Sequence, residues 1–496
     1  MPKNKSITNQ KTKTIKKHRT TNSAKKNSRA NQQIENKISN DKIKLYFYGA
    51  AKEVEGSCFL VEYKNEKILI DCGIHRDIRS QINAQPLPFQ AEEIKAIVLT
   101  HAHIDHSGLI PFVYKNGFRG KIYATPPTID FCVLLWEDAY NLMEDAAETQ
   151  GLPLLYTREE MNEALKLFSP SPYYQEVQIS QNISFIFYNA GHILGSAIVL
   201  LKIKKDNGRE TKIIFSGDLG NPFNLLLPDT DIISEEADYC LVESTYGDRV
   251  HEDAEIRREL LEDAVEEIIA NRGVLMIPVL AVERTQEILV ELNELVVHHR
   301  VPLIPIFMDS PLAIKVTEVY QKYLDYIKIE AFKFVGNGRG LFNFPGLTFT
   351  LTTEESKAIN AVPPPKVILA GSGSSEGGRI LHHEKRYLPD PHSILLIVSY
   401  QAENSLGRRL LEGASEVEIH NETVKVNCRV QQITGYSAHA DQKMLLQWIK
   451  ELRFRLKKLF VVHGEETAAN TLAQKVRDNF GIFTEVPNNG DWVELE

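Results

Sequence analysis

Apolar residues fall in short runs along most of the chain, and the runs predict strands. Residues 44–48 (KLYFY), 58–63 (CFLVEY) and 67–71 (KILID) read as three consecutive strands, punctuated by Gly49, Gly56 and Asn65. The run 96–99 (AIVL) reads as a short buried strand. Residues 183–188, 212–215 and 239–242 repeat the pattern. Between 125 and 168 the period lengthens: Ile129, Cys132, Val133 and Trp136 share one face, so this segment is mostly helical. From about 248 to 428 helices alternate with strands. Residues 256–270 and 285–297 read as helices, with Arg284 near the start of the second. Residues 274–278, 303–308, 367–370 and 393–398 read as strands of an α/β sheet. Residues 1–41 show neither period. They are rich in Lys, Asn, Thr and Ser, hold no aromatic residue, and cannot bury enough surface to offset ordering entropy, so disorder is expected.

Composition narrows the class. At 496 residues the chain can form two or three domains or one composite one. No apolar stretch approaches the roughly 18–20 residues of a membrane span. Cys58, Cys72, Cys132, Cys240 and Cys428 are scattered and form no C-x-x-C pair, which fits a reducing cytosol and a cytoplasmic protein. Charge is uneven. Residues 1–42 hold 12 Lys and Arg against Glu35 and Asp41, so the rest carries about −19 of the net −9. A basic arm of this kind suits RNA or ribosomal phosphates. A solubilising tail without a partner is the competing reading, and a transit peptide a third. The tail lacks the apolar core of a secretory signal.

Polar residues at the strand ends carry the chemistry. Thr100-His101-Ala102-His103-Ile104-Asp105-His106 follows the 96–99 strand and places four potential metal ligands within six residues. Imidazole nitrogens and a carboxylate oxygen suit zinc or a similar borderline cation. Asp71 ends an earlier strand and is placed to support that loop from behind. His192, between Gly191 and Ile193, follows the 183–188 strand, Asp218 follows 212–215, and Glu243 follows 239–242. A metal site at one edge of a sheet sandwich needs such repeated "strand, then ligand" units.

Asp71, the H-A-H-I-D-H box, His192 and Asp218 resemble the metal motifs of the metallo-β-lactamase fold. Glu243 in E-S-T-Y-G, the segment 278–287 (PVLAVERTQE), 309–313 (DSPLA), 435–441 (GYSAHAD) and 461–464 (VVHG) resemble its β-CASP subgroup of nucleic-acid hydrolases. The motifs stand in family order from about residue 43 to the end. Within the family the chain looks closer to the RNA-cleaving subunit of the cleavage and polyadenylation factor and its prokaryotic relatives than to RNase J. It lacks a long extension after the last histidine and a recognisable N-terminal KH domain. The implied fold is α/β: an αββα sandwich with an inserted α/β cap. The implied division is a basic tail at 1–41, metallo-β-lactamase parts at 42–247 and 429–496, and a β-CASP domain at 248–428. Two departures fall in the cap. Glu283 stands where the family often has Gly, and Asn404-Ser405 where it often has Gly-Thr.

The resemblance implies two zinc ions per chain sharing a hydroxide and Asp218. His101, His103 and His192 would hold one, and Asp105, His106 and His463 the other. Asp105 also counts among the catalytic groups. His439 would be the general acid for the leaving 3′ oxygen, oriented by Glu243, giving 5′-phosphate and 3′-hydroxyl products. A histidine at 463 goes with RNA-active members, so the expected activity is endonucleolytic cleavage of single-stranded RNA, with 5′→3′ exonucleolysis open beside it. Arg284, Ser310, Ser372, Arg379 and Ser437 are candidate RNA contacts. The Gly/Ser-rich run 371–379 is read as a phosphate cradle, with a flexible loop as the alternative. The pair His382-His383 is read as structural or cleft-lining. A homodimer stays open, since the family often dimerises and no residue here proves it. Two other classes compete: a small-molecule metallohydrolase of the same fold, and an inactive RNA-binding scaffold. The cap motifs argue against the first, and retention of all seven ligands against the second.

Overall fold

The computed structural model describes residues 42–75, 77–252, 254–334, 340–399, 401 and 404–496. The basic tail at 1–41 lies outside them.

Two seven-stranded sheets face each other. The first runs, edge to edge, Trp492–Leu495, Ile43–Phe47, Phe59–Tyr63, Glu66–Ile70, Ile94–Val98, Lys121–Ala124 and Phe168–Pro170. The second runs Thr484–Glu485, Lys458–Val461, Tyr239–Val242, Glu210–Phe215, Ala197–Lys204, Ile183–Asn189 and Glu176–Gln178. Alternate residues supply the layer between them. Leu45, Phe47, Phe59 and Val61 from one sheet meet Phe185, Phe187, Leu201 and Phe215 from the other, all buried. The outer faces are covered by helices. Pro126–Gln150 packs on the first sheet through Phe131, Leu135, Trp136, Ala139 and Met143, a spacing of three and four. Thr125 caps this helix by accepting from Thr128 N, Pro126 and Pro127 open it, and Gly151 ends it at φ 70°. Gln442–Leu452 and Glu466–Phe480 cover the second sheet with Leu445, Trp448, Ile449, Ala469 and Leu472. The result is the expected αββα sandwich.

The third sheet lies in the inserted segment. Its order is Leu347–Phe349, Ile306–Asp309, Lys366–Ala370, Val274–Pro278, Ile394–Ile397 and Arg429–Gln432, with every pairing parallel. Four of these strands are buried throughout, as strands covered on both faces are. This sheet takes in residues 429–432, just past the 428 boundary expected from the sequence. The last strand, Arg-Val-Gln-Gln, is polar because it lies at the sheet edge, so only its pairing with Ile394–Ile397 reveals it. No helix among the described residues is long and apolar enough to cross a membrane.

Candidate metal centre

Parallel pairing brings the strand-end residues to one edge. Glu210–Phe215, Tyr239–Val242 and Lys458–Val461 run parallel, so Asp218, Glu243 and His463 emerge side by side. Ile183–Asn189 is separated from Glu210–Phe215 by one antiparallel strand, so His192 emerges at the same end. In the facing sheet Glu66–Ile70 runs parallel to Ile94–Val98, which sets Asp71 beside the histidine loop.

His101, His103, His192 and Asp218 form one donor set, and Asp105, His106 and His463 a second that abuts it. His103 Nδ1 lies 3.1 Å from His101 Nε2 and 3.2 Å from His192 Nε2. His106 Nε2 lies 3.1 Å from His463 Nε2. Asp218 spans both sets: Oδ2 is 3.4 Å from His101 and His192, and Oδ1 is 3.3 Å from His106 and 3.5 Å from His463. Ligands about 2.0–2.1 Å from a tetrahedral zinc stand roughly 3.3 Å from each other, close to these separations. Asp218 Oδ1 is buried and has no hydrogen-bond partner, so the donor set has unused acceptor capacity aimed at its own centre. The residues therefore fit a divalent cation of zinc's chemistry.

Electrostatics agree. Burial, with the neighbouring imidazoles, holds His101 below its ordinary pKa, His103 down at about 3, and His192 well below. These rings are neutral, the form that ligates. Burial also opposes charge on His106 and His463, but Asp218 and Asp105 outweigh it and raise both. Burial works against ionisation of Asp105 and Asp218 too, yet the histidines hold both carboxyls low. The carboxylates thus favour positive charge at this locus.

Supporting contacts fix the rings. The Asp71 carboxylate accepts from Thr100 N and Thr100 Oγ1, each at 2.7 Å, and from His106 Nδ1 at 2.8 Å, which leaves His106 Nε2 for the centre. His192 Nδ1 donates to Ala438 O at 3.2 Å. Gly191 is at φ 68°, and a Cβ on Gly220 would lie 1.9 Å from Gly191 O, so the two loops meet only as glycines. Glu243 is fully buried, accepts from Leu219 N at 2.6 Å, and receives His439 Nδ1 at 3.2 Å. His439 Nδ1 is 3.9 Å from Asp218. His103, Asp105, His192, Arg284 and His439 all line one cavity of about 210 Å³.

Of the candidate RNA contacts, Arg284 reaches this cavity, its Nε donating to Tyr436 O, and Ser437 lines the adjoining one. Ser310 instead caps the helix Pro311–Lys322. Ser372 turns back on its own loop, donating to Gly377 O and accepting from Glu376 N. Arg379 is committed to Asp309 at 2.7 Å and to the carbonyls of Thr350 and Leu351. Part of the 371–379 backbone is engaged locally: the N–H groups of Ser372 and Ser375 bond to Gly377 O and Ser372 O, and Ile380 N bonds to Gly371 O. His383 donates to the same Asp309, a structural role.

Sequence reading missed the groups that hold the His439 loop. His251 Nε2 meets His439 O at 3.1 Å, and Asn221 bonds to Ser437 O and Ala438 O. It also missed Arg257, fully buried, which pairs with Glu287 at 3.0 Å and Glu291 at 2.6 Å and donates to Gly435 O. A signal existed: Arg257 shares a helix face with the core residues Leu261, Ala264, Val265 and Ile268.

An αββα sandwich with clustered histidines and aspartates at one edge, capped by a parallel α/β insertion, defines a metallo-β-lactamase-fold protein with a cap. The comparisons agree. Residues 60–236 match the metallo-beta-lactamase superfamily domain, 285–410 the Beta-Casp domain, and 423–487 the Zn-dependent metallo-hydrolase RNA specificity domain. The chain is 38% identical to Ribonuclease TTHA0252 of Thermus thermophilus over 84% of its length and 92% of that protein's. It is 34% identical to an RNase J-like protein of Methanocaldococcus jannaschii (90% and 98% covered) and 31% to the transcription termination factor FttA of Methanosarcina mazei (91% and 72%). A crystal structure of a protein of unknown function from Enterococcus faecalis shares the fold, with TM-score 0.54 and 11% identity, over 92% of this chain and all of that one. The chain belongs to the β-CASP family of metallo-β-lactamase-fold RNA nucleases.

Proposed function

We propose that this chain is a two-zinc ribonuclease that hydrolyses phosphodiester bonds of single-stranded RNA. The observation that carries the reading is the pair of abutting donor sets joined by Asp218, with His439 and Glu243 bordering the same centre. His101, His103 and His192 would hold one ion, Asp105, His106 and His463 the other, with Asp218 common to both. Bound zinc supplies Lewis acidity there, lowering the pKa of water and offsetting charge on the phosphoryl oxygens.

The chain's own groups do the rest. Arg284, positively charged and bordering the cavity, orients a phosphate beside Asp105. Asp105 accepts a proton-bearing O–H of the attacking water and aligns it. The Nδ1–H of His439 donates to Glu243, so Nε2 is the ring atom that serves the cavity. As an imidazolium, His439 gives its Nε2 proton to the departing 3′ oxygen and keeps Nδ1–H on Glu243, whose buried carboxylate stabilises the charged ring until then. The products are a 5′-phosphate and a 3′-hydroxyl. The basic arm would add salt-dependent affinity for RNA. Deleting residues 1–41 should weaken RNA binding and flatten its salt slope.

The test uses zinc-loaded wild type and His439→Ala on a 5′-labelled single-stranded RNA and the matching DNA, with a chelator control. Internal RNA fragments that vanish with chelator and fall about 10²–10⁴-fold in the variant are expected. Mononucleotides alone would turn the reading to an exonuclease. Zinc-loaded protein that leaves both polymers intact would overturn it.

A further inference from the structure

Two further cavities neighbour the one at the metal donors. Arg284 borders it and also a neighbouring cavity of about 150 Å³ that holds Arg249, Thr434 and Ser437. Val250 and His251 line this second cavity and also a third, of about 460 Å³. The turn 437–441 passes all three: Ala438 and His439 border the first, Ser437 the second, Ala440 and Asp441 the third. Three cavities with shared lining residues therefore flank the loop that carries His439; taken together as a groove, they are polar in the middle and apolar at the far end.

The far end is unusual for a folded surface. Phe223, Ile232 and Val250 are 42%, 63% and 61% exposed there, beside Met444 and Trp448. Its carboxylates are already engaged. Asp229 pairs with Lys328 at 2.7 Å, and Asp441 accepts from Met444 N and His251 N. Lys443 stands exposed at the rim. An apolar wall with an aromatic ring and a cation beside it suits a nucleobase on its phosphate backbone, because stacking tolerates any base and the cation follows the strand. Direction follows from proton transfer. The oxygen that His439 protonates belongs to the nucleotide upstream of the cut, so the strand passing around its loop is the upstream one.

We propose that the apolar end of this groove is a nucleobase subsite for one of the two bases immediately 5′ of the scissile phosphate, with Phe223 as its stacking wall and Lys443 beside the backbone. The inference rests on the ribonuclease reading above. It makes Phe223 and Lys443 specificity and affinity determinants that never touch the reacting atoms.

The test is an abasic scan on the full, zinc-loaded chain. A single-stranded RNA with one mapped cleavage position is resynthesised with an abasic sugar at each of the two upstream and two downstream positions. Wild type should lose about tenfold in kcat/KM, mainly through KM, at one upstream position. Phe223→Ala should start about tenfold lower on the intact RNA, lose nothing further at that position, and match wild type downstream. Lys443→Glu, at an exposed helix position, should raise KM and reduce the salt slope by about one, and serves alone if Phe223→Ala fails to fold. Wild type indifferent to every upstream abasic site, or a loss equal in Phe223→Ala and wild type, overturns the subsite and assigns the apolar wall to a protein segment. Wild type that cleaves no RNA brings down the ribonuclease reading, a result distinct from cleavage without base dependence.

Discussion

Two of the buried charged clusters among the described residues are built in opposite ways. At the interface of sandwich and cap, Arg257 lies between Glu287 and Glu291, Tyr436 donates to Glu291, and the guanidinium sits 4.7 Å from the Tyr436 ring. Although the buried Arg257 Nε meets no acceptor, the carboxylates there meet donors within the cluster. Burial still presses on it: it pushes the Glu287 carboxyl up to about 7 even with Arg257 beside it. At the sandwich edge, imidazole nitrogens face other imidazole nitrogens at 3.1–3.2 Å, and a buried Asp218 oxygen meets no donor. Lone pairs aimed at a shared point are tolerable only if a cation takes that point. Burial and charge alone do not separate a structural cluster from a functional one. The direction of the lone pairs does.

The contrast breaks most sharply at Asp218. Asp218→Ala removes the carboxylate common to both donor sets, so bound zinc measured by elemental analysis should fall, and RNA cleavage should drop on the order of 10⁴-fold, several kcal/mol of lost charge stabilisation. Retained zinc and activity would refute a shared bridging ligand. Arg257→Met should instead cost stability, about 3–5 kcal/mol in urea unfolding, because it strands two buried carboxyls. Adding Glu287→Gln and Glu291→Gln should restore most of that. A loss below about 1 kcal/mol would show that the cluster is not a closed ion network.

A smaller effect is expected at Asp71. Asp71→Asn keeps the shape but weakens the hold on His106 Nδ1, and zinc affinity, read by competition with a chromogenic chelator, should fall about 10–100-fold. The smallest effect is a slope. Burial raises the Glu283 carboxyl from 4.5 to about 8, against its bonds with Tyr320 and Asn224. The folded protein therefore keeps a proton that the unfolded chain releases. This contribution to stability is complete below pH about 4.5 and is lost as pH rises toward 8, by at most about 1.4 kcal/mol per pH unit. Glu283→Gln should flatten the fall of the urea midpoint between pH 5 and 8, with Glu287 keeping a residual slope. An unchanged slope would mean that Glu283 is not the proton holder.

Much of this was legible in the chain. The H-A-H-I-D-H box puts four donors in one loop, and Asp71, His192, Asp218 and Glu243 each announced themselves as a polar residue closing an apolar run. Arg257 also left a trace, a charge on an otherwise apolar helix face. Composition shows that the Gly/Ser-rich loop at 371–379 can bend and says nothing about where its N–H groups point; only the fold turns some of them onto the loop's own carbonyls. The edge strand Arg429–Gln432 escaped because a polar run has no apolar period to betray it.

By itself, then, the sequence determined many of the strands and helices, the family, and the donor types at strand ends. These depend on local periodicity and on the side-chain chemistry of single residues. Tertiary structure alone decided which donors face one another and which are quenched. Asp218 and His463 stand 245 positions apart, and parallel strand pairing, not spacing, sets their carboxylate and ring 3.5 Å apart. The same folding turned Arg379 inward to Asp309 while leaving Arg284 at the cavity. The physical reason is that a hydrogen bond or a metal bond depends on distance and direction to a partner, and the chain fixes those only when its sheets close.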